Sequence, residues 1–510
     1  MDRKWWTLAA VSAGVFMLLL DVTIVNVALP DIERSLDASL SDLQWVINAY
    51  ALSLAALLLT AGSLADRLGR RRVFAVGVAL FTTGSLLCGL APDPLFLTLA
   101  RAGQGVGGAI MFATSLALLS NAFHGRERGV AFGVFGAVTG VAVAVGPVLG
   151  GVITSGLSWR WIFLVNIPIG IATIAAILLR VEESRDPRAA RPDWLGFVTF
   201  SSALFALVYG LIESNSHGWG STTVVGSLVA SVLLLAAFVA VELLQRAPMF
   251  DLALLRKPTF VGGLTSAFAI SAGLFALLTY LVLYLQNVLG YSAVETGVRL
   301  LALTGAIFIT AGVAGRLTAH VPTRLLIGPG FVLIGVGLLL MRGLDPGSDW
   351  THLLPGMIVA GFGAGLVNVP LASTAVGVVE PARAGMASGI NSTLRQVGIA
   401  TGIAALGSIF ASHLRDSVAA SLAGTPVAGH AHQVADAISA GKLHAAIASA
   451  PAPTRALVAN AAQSGFVDGL NLILLIGALV AFAGGALALT LIRQRDYVPA
   501  PAGAAAPAPA

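Results

Sequence analysis

Residues 42–91 read DLQWVINAYALSLAALLLTAGSLADRLGRRRVFAVGVALFTTGSLLCGLA. Two apolar runs, 42–64 and 73–91, flank one short polar cluster, Asp66-Arg67-Leu68-Gly69-Arg70-Arg71-Arg72. Each run is close to the ~20 residues with which an α-helix crosses a bilayer. Neither alternates with period two, as the wall of a membrane barrel would. The stretch therefore reads as two spanning helices joined by a tight basic turn. Arginines concentrate in cytoplasmic loops, which places this turn inside. That tendency does not explain Asp66, held between apolar residues at a helix end, or the framing glycines Gly62 and Gly69.

The same pattern extends over the whole chain. Of 510 residues, 57% are hydrophobic and only 10% charged, against about 25% charged in a soluble domain. A soluble fold of this length lacks the polar surface it needs. Apolar runs long enough to cross lie at 5–28, 42–64, 73–91, 94–122, 129–154, 159–180, 194–214, 222–244, 259–286, 294–318, 324–342, 352–378, 388–413 and 467–492, about fourteen spans. With the N-terminus in the cytoplasm, twenty of the 29 Lys and Arg fall on inner segments, six on outer segments, and Arg101, Arg299 and Arg395 within spans. The expected placement is a multi-pass protein of the plasma (inner) membrane with both termini cytoplasmic. Met1–Lys4 and the run after it lead straight into Asp21–Pro30 without a cleavage site, so the first helix reads as retained.

The single cysteine, Cys88, rules out an intramolecular disulfide and a cysteine metal site, and it reads as a small buried apolar side chain. The net charge of +5 comes from loops on one side, with no basic helix or patch, which excludes nucleic acid as a partner. No Gly-x4-Gly-Lys-Ser/Thr loop is present, so nucleotide drive is not built in. His413, His430, His432 and His444 lie in a long loop instead of clustering on adjacent helices, which argues against a metal site and an embedded enzyme.

The chain echoes itself at an offset near 256. Gly129-x-Ala131-x-Gly133 matches Gly385-x-Ala387-x-Gly389, Val141 matches Val397, and Gly146 matches Gly402. Two six-helix halves are implied, 1–180 and 259–492, with two inserted helices in the linker 181–258. The segment 412–466 falls outside, either as a helical hairpin or as a partly ordered loop, and 493–510 reads as a cytoplasmic tail ending in disordered Pro/Ala sequence.

The turn Gly62–Arg72 resembles the loop signature of the major facilitator superfamily, nearly complete. The resemblance implies that Asp66 and Arg70 form a latch that holds one access state. In the fifth run, Gly136-x3-Gly140-x5-Gly146-Pro147-x2-Gly150-Gly151 suits close helix packing with a proline break. It is also similar to that superfamily's antiporter signature, which implies export in place of uptake. Leu20-Asp21-x-Thr23-Ile-Val-Asn26-Val-Ala-Leu-Pro30, Trp159–Gly170 and Leu394-Arg395-Gln396-Val-Gly398 resemble the fourteen-helix drug:proton antiporter branch (QacA/EmrB-like). The fold expected is all-α, with about fourteen spans.

An acid inside a span is costly and marks function by default. Asp21 lies roughly 24 Å along the helix from Trp5, and is read as the proton carrier or as a structural acid paired with a neighbouring helix. Arg101, in Arg101-x2-Gln104-Gly105, matches the family's buried arginine and is expected to tune Asp21. Arg395 either anchors backbone carbonyls or lines the substrate path. The remaining cavity candidates are Phe16, Asn26, Trp45, Tyr50, Phe268, Phe275, Tyr280, Asn391 and Gln396. The second-half copy of the loop motif, Gly315–Arg324, has Ala319 where the acid would stand, so no latch is expected there. The resulting expectation is a monomeric antiporter, without cofactor or metal, that exchanges protons for small hydrophobic compounds among membrane lipid. Its intramembrane acids are few, so neutral, monocationic or weakly anionic compounds are expected over dications. A nutrient symporter is the alternative.

Overall fold

The computed structural model describes residues 2–123, 125–185, 192–245, 248–318, 320–379, 384–431, 433–435 and 452–498. The described residues form helices and short turns, with no strand among them. The helices are α1 (Arg3–Leu36), α2 (Leu40–Leu68), α3 (Arg70–Gly89), α4 (Pro94–Ala122), α5 (Gly125–Gly156), a single turn α6 (Trp161–Leu164), α7 (Asn166–Arg180), α8 (Trp194–His217), α9 (Thr222–Leu244) and α10 (Pro258–Ile270). They continue as α11 (Ala276–Leu283), α12 (Ala293–Leu317), α13 (Arg324–Leu340), α14 (Leu354–Gly377), α15 (Ala384–Leu422) and α16 (Arg455–Leu491). Eleven helices are long and apolar enough to cross a membrane, up to thirteen when each of two bent pairs counts once, and Arg324–Leu340 is a shorter apolar helix. This is consistent with the fourteen runs read from the sequence.

Local chemistry sets the helix starts. Ser39 with Asp42, and Ser292 with Glu295, form reciprocal capping boxes at α2 and α12. Asp93 accepts from the Phe96 N–H, and Pro94 stands at the first position of α4, where its missing N–H costs nothing. Pro147 acts differently, inside α5. Its ring clashes with the carbonyl four residues back, and α5 bends by 41° at that point, between Ala142 and Ala144. The span expected at 259–286 is not uniform either. The five-residue π-helical stretches Ser271–Phe275 and Tyr284–Val288 interrupt it. At the end away from the termini, α15 and α16 extend helically into 412–466, while residues 436–451, Ala319 and the tail 499–510 lie outside the described residues.

Packing follows one scheme twice. In the N-terminal group α4 packs on α2 and α3, α1 on α5 and α7, and α3 on α7. In the C-terminal group α14 packs on α12 and α13, α10 on α15 and α16, and α13 on α16. The sequence echo has a packing counterpart. Gly146 seats against Thr23 of α1, and Gly402 seats against Ala272, in the segment that follows α10. The inserted helices α8 and α9 pair with each other, and α8 also touches both α2 and α15. Ser214 bonds Ser408 at 2.5 Å across that contact. After α16 the chain returns to α10, where the Thr259 hydroxyl donates to Asp496 at 2.7 Å and holds that carboxyl below its usual range.

The seam between the groups is tight at the end away from the termini. There Gln44 donates to the Tyr280 hydroxyl at 3.2 Å, Gln286 to the Val27 carbonyl at 2.8 Å and Asn287 to Glu33 at 3.1 Å. From there α5 and α12 run side by side toward the terminus-bearing end. Gly151 meets Val294, Pro147 meets Gly297, and Thr304 donates to the Ala144 carbonyl at 3.3 Å. Farther along, Gly136 and Gly312 have open space beside them among the described residues.

Close helix contact is tested most simply at Gly84, where an added Cβ would stand 2.7 Å from the Gln104 Cβ and 2.9 Å from its backbone nitrogen. Gly84→Leu should force α3 away from α4 at a cost of about 1–3 kcal/mol, measured as a lower thermal unfolding midpoint in detergent. Gly103→Leu, which faces open space, should leave the midpoint unchanged. Equal midpoints for the two variants would contradict the packing.

Candidate functional site at a buried ion pair

Asp21 and Arg101 are each 1% exposed. Arg101 Nη1 donates to Asp21 Oδ2 at 2.5 Å. The other carboxylate oxygen, Oδ1, accepts from Gln104 Nε2 at 2.9 Å. Gln104 Nε2 also reaches Ser85 Oγ at 2.7 Å, and Asn166 Nδ2 donates to the same hydroxyl at 3.0 Å. Arg101 Nε donates to the Val46 carbonyl at 3.2 Å, and Nη1 also meets Gln104 Oε1 at 2.7 Å. The guanidinium lies over Tyr50, 4.2 Å from the ring centre, with Phe163 at 5.7 Å. One network thus joins α1, α2, α3, α4 and α7. Arginine suits the position because its planar fork serves a carboxylate, an amide and a carbonyl at once and stacks on aromatic rings.

Removing two ions from water costs several kcal/mol for each, and their attraction offsets this only with good geometry and satisfied lone pairs. Both carboxylate oxygens are satisfied here. Cys88, expected as an inert apolar filler, points its thiol at Gln104 Oε1 from 3.6 Å, near the limit of a weak sulfur hydrogen bond. Beside the pair lies a small cavity of ≈ 20 Å³, walled by Arg101, Tyr50, Val22, Val25, Ile47 and Ala51 and, across the seam, by Gln396 and Ile399 of α15. That is room for about one water. The ion pair therefore stands at the seam between the two helix groups.

The basic turn is built around Gly69, whose φ of +110° favours glycine. Arg70 Nε donates to Asp66 Oδ1 at 2.8 Å across the turn. A residue that the sequence reading passed over completes the turn. Glu183 accepts from the N–H groups of Arg71 at 3.0 Å and Arg72 at 3.3 Å, and so caps α3 from the segment after α7. The Arg70 N–H bonds the Ser184 carbonyl at 2.8 Å. The signal was the acidic doublet Glu182-Glu183 directly after an apolar run. All of these bonds stay within the N-terminal group, and Gly62 faces open space.

The glycine and proline string of α5 divides its faces. Gly146 and Gly150 seat against Thr23 and Ile24, just past Asp21 on α1. Pro147 and Gly151 face α12, and a Cβ added at Gly140 would stand 3.4 Å from the Phe308 ring. Of the expected cavity residues, Tyr50 and Gln396 meet around Arg101. Asn26 accepts from Thr279 at 3.3 Å. Trp45 stacks with Phe205 and Tyr209 of α8, away from this cavity. Tyr280 is fully buried in the closed seam, donating to the Ile403 carbonyl at 2.7 Å. Phe268 is 36% exposed, and Phe16 and Phe275 pack half-buried against the core. Asn391 is buried, and Arg395 is half-buried with its guanidinium 6.0 Å from the Phe275 ring centre.

Asp21→Asn or Arg101→Met alone should lower stability by about 3 kcal/mol, because each leaves a buried partner unmatched. The double variant should cost much less than the sum, as read from thermal unfolding of the four proteins. Strictly additive losses would show that the two residues do not act as a pair.

Residues 11–403 match the family model of the Major Facilitator Superfamily. The multidrug resistance protein Stp of Mycobacterium tuberculosis is 39% identical over 409 residues, covering 80% of this chain and 76% of that protein. The puromycin resistance protein pur8 of Streptomyces alboniger is 39% identical, covering 86% of this chain and 89% of its own. The tetracenomycin C resistance and export protein of Streptomyces glaucescens is 35% identical, covering 96% of this chain and 91% of its own. In fold, the chain is similar to a bacterial homologue of the human lysosomal transporter Spinster, crystallised in an inward-facing and occupied conformation. The TM-score is 0.64 at 15% identity, covering 98% of this chain and all of that one. Spans of this kind, packed twice in one scheme and matched to that family model over most of the sequence, make the chain a member of the major facilitator superfamily, an integral membrane transporter and not an enzyme.

Proposed function

We propose that the chain is a proton-coupled antiporter of the plasma membrane, exporting small hydrophobic or amphipathic compounds by alternating access. The observation that carries this reading is the Asp21–Arg101 pair, buried inside a span and bordering the seam between the helix groups. Both ions are held only while Asp21 is charged. A proton on Asp21 removes the counter-charge of Arg101 and leaves the guanidinium to Val46, Gln104 and the Tyr50 ring. The network then has two electrostatic states, and a proton selects between them.

The seam supports alternating access. Away from the termini it is bonded across by Gln44–Tyr280 and Gln286–Val27, and toward them Gly136 and Gly312 face open space among the described residues. With both termini in the cytoplasm, as the Lys and Arg distribution favours, an opening at that end would be inward-facing. In the opposite state those ends would meet, and the Asp66–Arg70 turn would lie at their junction as a latch. The export direction is supported by the α5 string and by relatives named for drug resistance and export. The pump would work as a monomer and without a cofactor.

Asp21→Asn retains shape and removes titration. In everted vesicles the variant should insert and bind substrate yet lose efflux driven by a pH gradient. Efflux at the wild-type rate would contradict the assignment. Asp66→Ala should slow transport while substrate binding holds, since it biases a conformational equilibrium and leaves the cavity intact. Lost binding, with no shift in cysteine-labelling accessibility, would remove the latch.

A further inference from the structure

Arg395 is the second arginine at the seam, half-buried where Arg101 is fully buried, and it differs from the first. Arg101 has a carboxylate, an amide and a carbonyl. Among the described residues Arg395 takes part in no hydrogen bond or ion pair, and no carboxylate is close enough to act on it. Its one neighbour of note is the Phe275 ring, 6.0 Å away, at the end of the π-helical stretch Ser271–Phe275. On α15 it lies between two faces. Gln396 and Ile399 border the cavity beside Arg101, while Gly398 and Gly402 pack on Phe268 and Ala272. Its side chain thus projects toward the space between the helix groups, and it keeps part of its surface there. One turn earlier on the same side, Asn391 is 6% exposed and its Oδ1 has no hydrogen-bond partner.

A permanent cation inside a span without a counter-ion is costly. The acid deepest in the bundle, Asp21, is engaged by Arg101 and Gln104. We propose that Arg395 receives the anionic group of the transported compound, an amphipathic organic acid whose carboxylate or phenolate pairs with the guanidinium. Phe275 offers an apolar, aromatic wall for the body of such a molecule, and Asn391 Oδ1 an acceptor for a hydroxyl on it. The planar guanidinium favours a carboxylate through two parallel hydrogen bonds. A dication would meet Arg395 unopposed. This assignment deepens the exporter reading and rests on it, and it narrows the expected substrates to weak acids.

The test uses the full chain in nanodiscs of zwitterionic phosphatidylcholine, with a carboxylate-bearing xanthene dye and its methyl ester as matched probes. Binding is read by fluorescence anisotropy. The wild type should bind the acid about ten-fold or more tightly than the ester, the scale of one charge-assisted contact. Arg395→Gln should abolish the difference by weakening the acid alone, and Arg395→Lys should restore part of it. The proposal is overturned if the wild type shows no preference, if the preference survives Arg395→Gln, or if both probes weaken equally. Adding anionic phosphatidylglycerol should leave the acid's affinity unchanged; strong competition would assign the site to a lipid headgroup and overturn the proposal. Gradient-driven transport in matching proteoliposomes reports on the exporter reading separately. An acid preference that requires Arg395, without such transport, would retain the site and remove the exporter.

Discussion

A carboxylate and a guanidinium buried together between helices are stable only as a pair. Asp21 and Arg101 stand in an apolar surrounding where an unmatched ion is far more costly than in water. Their partners come from several helices, so the network ties the N-terminal group together. The smallest ligand that changes this balance is a proton, since it neutralises one member and leaves the other charged. A site needed only for stability could be replaced by apolar side chains of similar volume. A carboxylate set against a permanent cation next to the seam is better suited to coupling.

The network has a contiguous mechanical neighbour. Past Asp21, α1 carries Thr23 and Ile24, which rest on Gly146 and Gly150 of α5. The other face of α5, at Pro147 and Gly151, rests on α12 of the C-terminal group. The 41° bend four residues before Pro147 lies in the same helix. From there toward the terminus-bearing end, α5 stays beside α12 as far as Gly140 and Phe308, and Gly136 and Gly312 beyond face open space among the described residues. A small rotation of α1 against α5 would therefore bear directly on the interface that opens, with packing as the only intermediary.

The sequence made the spans legible because a bilayer demands long apolar runs and the cost of a buried charge singles out Asp21 and Arg101. Motif spacing exposed the turn and the α5 string. Partners distant in the chain were harder to see. Glu183 caps α3 from more than a hundred residues away, and only the fold brings it to Gly69. Ser85 looked like any small residue in a span, yet it joins Gln104 to Asn166. Tyr280 and Trp45 are aromatics expected along the cavity, and ring chemistry alone does not show which partners such residues meet. Tyr280 bridges the seam to Gln44 and the Ile403 carbonyl, and Trp45 packs on Phe205 and Tyr209 of α8. The π-helical stretch 271–275 left no mark in the apolar pattern, and 284–288 falls where the polar pair Gln286-Asn287 ends the run.

The central claim, that substrate leaves in exchange for protons, is tested most directly by following lumenal pH in sealed proteoliposomes that contain only this chain. With no imposed gradient, an outward substrate gradient should draw protons into the lumen, and the signal should vanish when Asp21 is replaced by Asn. Substrate movement with no accompanying pH change, or with protons moving in the same direction as the substrate, would contradict the account.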